Sequence, residues 1–166
     1  MTVVSSHKDV ENLTLTFTAE FDANVDRVWQ VWEDPRQLER WWGPPTWPAT
    51  FDRLEFTPGG DARYYMTGPE GQKAHGWWKV IAIDAPNRLE FEDGFAGDDG
   101  EPLDPEDTTR CVVTLEQDAG VTRMISVTRF TSAEQLQQMS EMGMIEGMTE
   151  AMGQIDGILA ESSVSR

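Results

Sequence analysis

Six consecutive segments between residues 49 and 130 alternate apolar and polar residues, and this pattern most constrains the fold of the chain. A period of two is typical of strands with one buried and one exposed face. Turn residues separate the segments, for example at 58–60 (Pro-Gly-Gly) and 119–120 (Ala-Gly). Because most of these turns are short, consecutive strands are expected to pair antiparallel. The predicted strands are 49–56, 61–68, 74–84, 88–95, 109–118 and 121–130.

A seventh alternating segment, residues 13–21, comes earlier in the chain and is followed by helical patterns. Apolar residues in 24–34 recur at helical spacing, and either Asn24 or Asp26 can cap this helix. Pro35 either ends the helix or opens a second short one, which must stop at the Gly-Pro-Pro of residues 43–45.

The C-terminal third is predicted to be helical. Ser132 with Gln135 resembles a capping box at the start of one helix. A longer helix, 143–160, carries a single apolar stripe and several glycines away from the stripe. Because each glycine lowers helix propensity by about 1 kcal/mol, this helix should depend on packing against the sheet. The stripe consists of Ile145, Met148, Met152, Ile155 and Leu159.

The element order is one strand, two helices, six strands and a long helix, without repeats or a linker. This order predicts an α+β domain in which a curved antiparallel sheet of about seven strands surrounds the C-terminal helix. The predicted domain spans residues 13–161. Residues 1–12 are expected to form a flexible N-terminal tail, and residues 162–166 a C-terminal tail.

Four stretches resemble the Hsp90-ATPase-activator-homologue-like family of the START-like (SRPBCC, Bet v 1-like) superfamily. They are FDANVDRVWQVWEDPRQLERWWGPP, EFTPGGDARYYMTGPEG, HGWWKVIAIDAPNRLEFEDGF and GMIEGMTEAMGQIDGILAE. The resemblance implies a helix-grip fold with a cavity between the long helix and the sheet, which the superfamily uses for lipids, hormones, polyketides and other hydrophobic ligands. This family often carries Trp where this chain has Met148, a departure that would alter the shape of the cavity but not the fold.

The net charge of −17 excludes nucleic acid and anionic membranes as expected partners, because phosphate binding requires clustered Lys and Arg. The sequence contains neither a membrane-length apolar run nor a signal-peptide pattern, so a cytoplasmic location is expected. The lone Cys111 excludes an internal disulfide and is interpreted as a packing residue. The acidic run 98–107 is interpreted as a solvated loop, and neither a metal nor another cofactor is expected.

No catalytic constellation is recognisable, and no catalytic residue is therefore assigned. His75 could act as an acid or base but has no evident partner. Glu141 and Glu146 could project into a cavity, and Arg110 and Arg123 could hold an anionic group. The sequence also lacks a nucleophile elbow, a phosphate-binding loop and a dinucleotide fingerprint.

The tryptophans and methionines are the strongest site signals. Trp29 and Trp32 are predicted to be core residues. Trp41 and Trp42 end the helix pair at the cavity mouth, so we expect them to be mainly structural, with one of them lining the cavity. Trp47, between prolines, is expected to be partly exposed. Five methionines lie close together at 139–152, where a helix can serve both the core and a cavity wall.

Strand alternation identifies further cavity-facing candidates on the predicted sheet. Trp77 and Trp78 must point to opposite faces, and the sequence alone does not decide which faces inward. The predicted ligand-binding residues are Trp42, Tyr64, Met66, Trp78, Phe91, Phe95, Met124, Met148 and Met152.

The favoured functional hypothesis is binding of a small hydrophobic molecule between the sheet and the last helix. The first alternative is a cavity enzyme acting on small aromatic or polyketide-like substrates, assisted by His75 or a buried carboxylate. The second is an Hsp90-type chaperone-partner module, which the family name suggests. Homodimerisation through sheet edges and Trp47 is a further partner hypothesis. The identity of the ligand stays open.

Overall fold

The computed structural model describes residues 3–103 and 108–162, and the chain forms eight strands and five helices within these ranges. The strands are β1 (Val3–Asp9), β2 (Thr14–Phe21), β3 (Ala49–Leu54), β4 (Asp61–Thr67), β5 (Lys73–Asp84), β6 (Arg88–Ala96), β7 (Thr108–Asp118) and β8 (Val121–Arg129). The helices are α1 (Val25–Glu33), α2 (Pro35–Trp41), α3 (Ala133–Glu141), α4 (Met144–Gly153) and α5 (Ile155–Ser162). The predicted α+β helix-grip class is confirmed.

All eight strands belong to one antiparallel sheet with the order β1-β2-β8-β7-β6-β5-β4-β3. Register shifts interrupt the β3–β4 pairing between Phe51 and Arg53, and the β5–β6 pairing between Val80 and Ala82. Such bulges bend a strand and increase its twist. The sheet therefore curves, and the helices pack on its inner face.

The first strand corrects the expectation of a flexible N-terminal tail. Residues 3–9 pair with β2 over their whole length, from Val3 opposite Glu20 to Asp9 opposite Thr14. The segment VVSSHKD lacks apolar alternation, so its sequence gave no strand signal. Pairing satisfies the backbone groups along the edge of β2, which explains why a polar segment can form a strand there.

The helix pair begins with two side-chain caps. Asn24 Oδ1 accepts a hydrogen bond from the backbone N–H of Arg27 at 2.9 Å, so Asn24 rather than Asp26 caps α1. Asp34 Oδ1 accepts from the backbone N–H of Arg36 at 2.9 Å, and Pro35 opens α2. The second short helix therefore exists, as one of the two interpretations of Pro35 predicted.

The C-terminal helices begin as predicted but are interrupted once more than expected. Ser132 Oγ accepts from the backbone N–H of Gln135 at 3.0 Å and caps α3. The predicted single helix 143–160 is divided at Gln154 into α4 and α5. The Gln154 backbone N–H bonds to Ala151 O at 3.1 Å, and its side-chain Nε2 donates to Gly43 O at 2.8 Å. This side-chain hydrogen bond to the end of the helix pair holds Gln154 in place between α4 and α5.

An aromatic cluster fills the core between sheet and helices. Trp32, Trp41, Trp78 and Phe91 are fully buried. Trp78 stacks on Phe91 with ring centroids 4.2 Å apart, whereas Trp32 meets Trp41 edge to face at 4.7 Å. Trp78 thus faces inward, whereas Trp77 lies outside the core cluster, against Gly94.

None of the helices in 3–103 and 108–162 has the length and apolar character that a membrane span requires.

Candidate functional site

A cavity of about 290 Å³ lies between the inner face of the sheet and the connection from α3 to α4. The sheet contributes Tyr64, Met66, Asp93, Gly94, Phe95 and Thr109 to its wall. The helical side contributes Met139, Met142, Gly143, Met144, Gly147 and Met148, and the end of the helix pair contributes Trp42 and Pro44. One wall is therefore rich in methionine and the other combines aromatic and polar groups.

A second cavity, of about 20 Å³, lies deeper in the core. Its volume is close to what one water molecule requires. It shares Trp42, Asp93, Met144 and Met148 with the larger cavity, so these four side chains stand between the two spaces. Its other lining residues are Phe17, Trp32, Phe91, Cys111, Ser126, Thr128 and Met152.

The methionine wall follows from the break between α3 and α4. Gly143 adopts a left-handed backbone conformation, with φ of 89°, which residues other than glycine rarely adopt. The turn places Met139 before the break and Met144 and Met148 after it on the same side of the cavity. Met142 is 69% exposed and Phe95 is 40% exposed, and both belong to the lining, so they mark the mouth. Flexible methionine side chains allow such a wall to fit ligands of varied shape.

The two adjacent tryptophans lie in different surroundings. The Trp41 Nε1–H donates to Val31 O at 2.8 Å inside the core. Trp42 lines the cavity and meets Tyr64 edge to face, with ring centroids 6.1 Å apart. Phe51 stacks on Tyr64, with ring centroids 5.0 Å apart. Tyr64 is thereby held between two aromatic side chains.

The only carboxyl group in the described lining is that of Asp93 on β6. Asp93 is partly open to the cavity, but protein atoms surround its carboxyl, and this desolvation raises its pKa to about 7. Interaction with the Tyr64 hydroxyl acts in the opposite direction. Burial first, and then the charge of Asp93, raises the pKa of Tyr64 well above its usual value. Near neutral pH, Asp93 can therefore gain or lose a proton while Tyr64 keeps its own.

Further polar groups extend from Asp93 across the inner face of the sheet. Thr109 is the direct partner of Asp93 in the β6–β7 register. Cys111 follows Thr109 two positions later on β7, in the lining of the smaller cavity. Its Sγ lies 3.3 Å from Ser126 Oγ, near Thr128. Burial raises the pKa of the Cys111 thiol to about 11. A protonated, buried thiol is a poor nucleophile, which agrees with the interpretation of Cys111 as a packing residue.

The structure brings most of the predicted ligand-binding residues together. Trp42, Tyr64, Met66, Phe95 and Met148 line the larger cavity, and Phe91 and Met152 line the smaller one. Trp78 and Met124 line neither. Trp78 is enclosed by Phe91 and Trp42, and the Met124 sulfur accepts a hydrogen bond from Trp32 Nε1 at 3.3 Å. These two residues belong to the core that supports the cavity.

The candidates for chemistry from the sequence lie outside the cavity. Strand alternation places His75 on the opposite face of β5 from the inward-facing Trp78. Its ring packs against Tyr65, with ring centroids 5.7 Å apart. Its Nε2 is 3.8 Å from Asp98, on the outer face of the sheet. Glu141 and Glu146 are exposed and line neither of the two cavities described above.

The two candidate arginines are occupied by carboxylates of neighbouring strands. Arg110 lies 3.5 Å from Glu90 and 3.2 Å from Glu92, and Arg123 lies 2.9 Å from Glu20. Neither belongs to the cavity lining. Part of the acidic run 98–107 lies outside the described residues, at 104–107. Among the residues that are described, no cluster of three or more His, Cys, Asp or Glu could hold a metal.

Sequence reasoning missed Asp93, although a signal for it was present. The alternation that places Leu89, Phe91 and Phe95 on the inner face also places Asp93 there. A charged residue in an apolar register is unusual, because burying a carboxyl without a partner is costly. That irregularity identifies Asp93 as a candidate for function.

Comparison with known proteins agrees with this fold. The family model for "Activator of Hsp90 ATPase homolog 1-like protein" matches residues 22–160. A solution NMR structure of a protein from Arthrobacter aurescens is 60% identical, with a TM-score of 0.91 over 96% of this chain and 92% of that one. A crystal structure from Mycobacterium smegmatis is 46% identical, with a TM-score of 0.87 over 95% and 97%.

A protein from Rhodobacter sphaeroides shares the fold at 24% identity, with a TM-score of 0.81 over 97% of this chain and 99% of that one. No curated protein matches the chain. The fold defines an α+β helix-grip protein. The chain belongs to the Activator of Hsp90 ATPase homolog 1-like family.

Proposed function

We propose that this protein binds a small, largely hydrophobic molecule in the cavity between the sheet and the α3–α4 connection. The observation that carries the proposal is the combination of a methionine wall with one polar corner, formed by Asp93, Tyr64 and Thr109. Ligand sites are typically apolar recesses with a few polar groups that fix orientation. The cavity volume of about 290 Å³ lies at the lower end of the range for such sites, which favours a small ligand.

A pair of glycine substitutions tests this proposal. Gly147 lines the cavity, and a Cβ at this position would meet no atom within 4 Å. Gly147→Leu would therefore place a side chain in the cavity. Gly153 in the same helix is exposed, has equally open surroundings and does not line the cavity. Gly153→Leu is the matched control.

The measurement is native mass spectrometry of the purified protein, followed by tryptophan-fluorescence titration with a panel of lipids, flavonoids and polyketides. Trp42 in the cavity wall supplies the signal. We expect saturable binding that Gly147→Leu weakens at least tenfold and Gly153→Leu preserves. Equal binding by both variants would place the ligand elsewhere, and no binding at millimolar concentrations would oppose the proposal.

A second candidate function is catalysis in the same cavity, and Asp93 is the observation that favours it. A carboxyl with a pKa of about 7 can serve as general acid or base near neutrality. Because His75 lies on the outer face, Asp93 replaces it as the candidate group. The test is turnover of small aromatic esters and ketones. We expect a pH–rate inflection near 7, and turnover that persists unchanged in Asp93→Asn would exclude this role.

The remaining partner and location hypotheses stay predictions. The family description names Hsp90 ATPase activation, and neither the cavity nor its lining favours that partner for this chain. Homodimerisation and a cytoplasmic location rest on sequence arguments alone. Trp47 is partly exposed and packs against Gly68.

A further inference from the structure

The polar corner of the cavity depends on a glycine between two aromatic residues. Tyr64, Gly76 and Phe95 are aligned across β4, β5 and β6 by the strand register. Neighbouring strands are about 4.8 Å apart, so Tyr64 lies about 10 Å from β6 at the backbone. Because Gly76 has no side chain, the Tyr64 ring and hydroxyl lie directly over it and approach Asp93 on β6. Asp93 is therefore flanked by aromatic groups.

The charge at this corner lacks a protein counterion. Within the described part of the chain, the cavity lining contains no Lys, Arg or His, and Asp93 forms no ion pair. The titratable groups that face it are Tyr64 from β4 and Cys111 from β7, and raised pKa values keep both neutral near pH 7. The opposing helix α4 contributes Met144, Gly147 and Met148 to the larger cavity and Met152 to the smaller one, and none of these residues titrates. An ionised Asp93 thus has no counterion among the described residues.

We infer that the ligand is an amphiphilic organic amine, whose ammonium group binds beside the Asp93 carboxylate and whose apolar part packs on the methionine wall. This inference rests on the proposed function and specifies its ligand class. A cation would supply the counterion that the partly buried carboxylate lacks. Trp42, Tyr64 and Phe95 present aromatic groups around the same corner, and aromatic faces attract ammonium groups. The net charge of −17 also favours the approach of cations.

Binding of an amine would also be coupled to a proton. The pKa of Asp93 is about 7 in the free protein, so a fraction of the molecules carries this proton at neutral pH. A bound ammonium favours the carboxylate and lowers this pKa. Amine binding at pH 7 should therefore release part of a proton, and its affinity should fall as the pH drops below 7.

The experiment compares three probes of nearly equal shape: phenethylamine, phenethyl alcohol and phenylacetate. Affinities are measured at pH 8 by NMR titration of the labelled protein. Proton release is measured at pH 7 by calorimetry in buffers of different ionisation enthalpy. We expect phenethylamine to bind about tenfold more tightly than the alcohol, because its bond to Asp93 is charge-assisted, and phenylacetate to bind most weakly.

Two variants identify the group responsible. Asp93→Asn should bring the amine-to-alcohol affinity ratio close to one and abolish proton release. Glu146→Gln removes one negative charge from an exposed position of α4 outside the lining and should preserve both effects. NMR spectra of the variants establish that they are folded. Equal binding of amine and alcohol by the wild type, or an unchanged ratio in Asp93→Asn, overturns the amine inference alone. Binding of none of the three probes counts against both this inference and the proposed function.

Discussion

The side chain of Tyr64 lies across the backbone of Gly76, its direct partner in the β4–β5 register. A Cβ at Gly76 would collide with the ring and the hydroxyl of Tyr64. Stacking on Phe51 and edge contact with Trp42 hold the ring from its other sides. The absence of a side chain at position 76 therefore determines where the Tyr64 hydroxyl lies in the cavity.

Gly76→Ala should displace Tyr64 and weaken ligand binding. We expect a loss of about 1–3 kcal/mol in the free energy of unfolding, as for other overpacked sites. Because the hydroxyl moves away from Asp93, ligand affinity should fall as well. Denaturant unfolding and fluorescence titration measure the two effects. Gly68→Ala is the control, since it would collide with Trp47 away from the cavity and should cost stability without changing affinity.

Asp93 should make the free energy of unfolding fall as the pH rises, whereas an ion-paired carboxylate makes it increase. Its pKa is about 7 in the folded protein and 3.8 in the unfolded chain. Between these values the folded state binds more protons, so this group lowers the free energy of unfolding as pH rises from 4 to 7. Asp93→Asn removes that contribution. The variant should therefore gain stability over the wild type progressively across this range, and the gain should level off above pH 7.

The control for Asp93 is Glu150→Gln, which removes the same charge from an exposed position of α4. Its difference from the wild type should vary little over the same pH range in denaturant titrations. A parallel response of the two variants would attribute the effect to the net charge of the protein. A constant difference between Asp93→Asn and the wild type would contradict the raised pKa.

Much of this fold was predictable because local signals agreed with the tertiary structure. The caps at Asn24 and Ser132 and the alternation of β4 to β8 all act over a few residues. Strand β1 was not predictable in this way, since its polar residues are ordered by the β2 edge. The interruption at Gln154 was missed for a related reason, because its side chain bonds to Gly43, 111 residues away.

The candidate site was predictable only in part. Residue type and alternation were sufficient for Tyr64, Met66 and Phe95, which line the cavity. They could not distinguish a cavity wall from a filled core, and Trp78 and Met124 were assigned to the cavity for that reason. Whether an inward side chain meets space or another ring depends on the arrangement of all the elements, which no single segment encodes.

Met148 stands between the two cavities, and its truncation should join them. Because Met148 is partly buried against the core, Met148→Ala should lower the free energy of unfolding by about 1–2 kcal/mol, less than a fully buried Met-to-Ala change. Met142→Ala, at a position that is 69% exposed, should change it by less than about 0.5 kcal/mol. Denaturant unfolding checks both values. Similar losses in the two variants would show that Met148 does not support the core.

The last test compares Trp41, which is fully buried, with Trp47, which is only partly buried. Trp41 is fully buried, and its Nε1–H donates to Val31 O, so Trp41→Phe leaves both a space and a buried carbonyl without this donor. We expect a loss of about 2–4 kcal/mol in the free energy of unfolding, with ligand affinity changed little, because Trp41 is not part of the cavity lining. Trp47 is only partly buried, and Trp47→Phe should cost less than about 1 kcal/mol. Denaturant unfolding and ligand titration of both variants measure these effects. If Trp41→Phe instead reduced affinity without reducing stability, the Trp41–Trp42 pair would act as a binding element and not as the closure of the core.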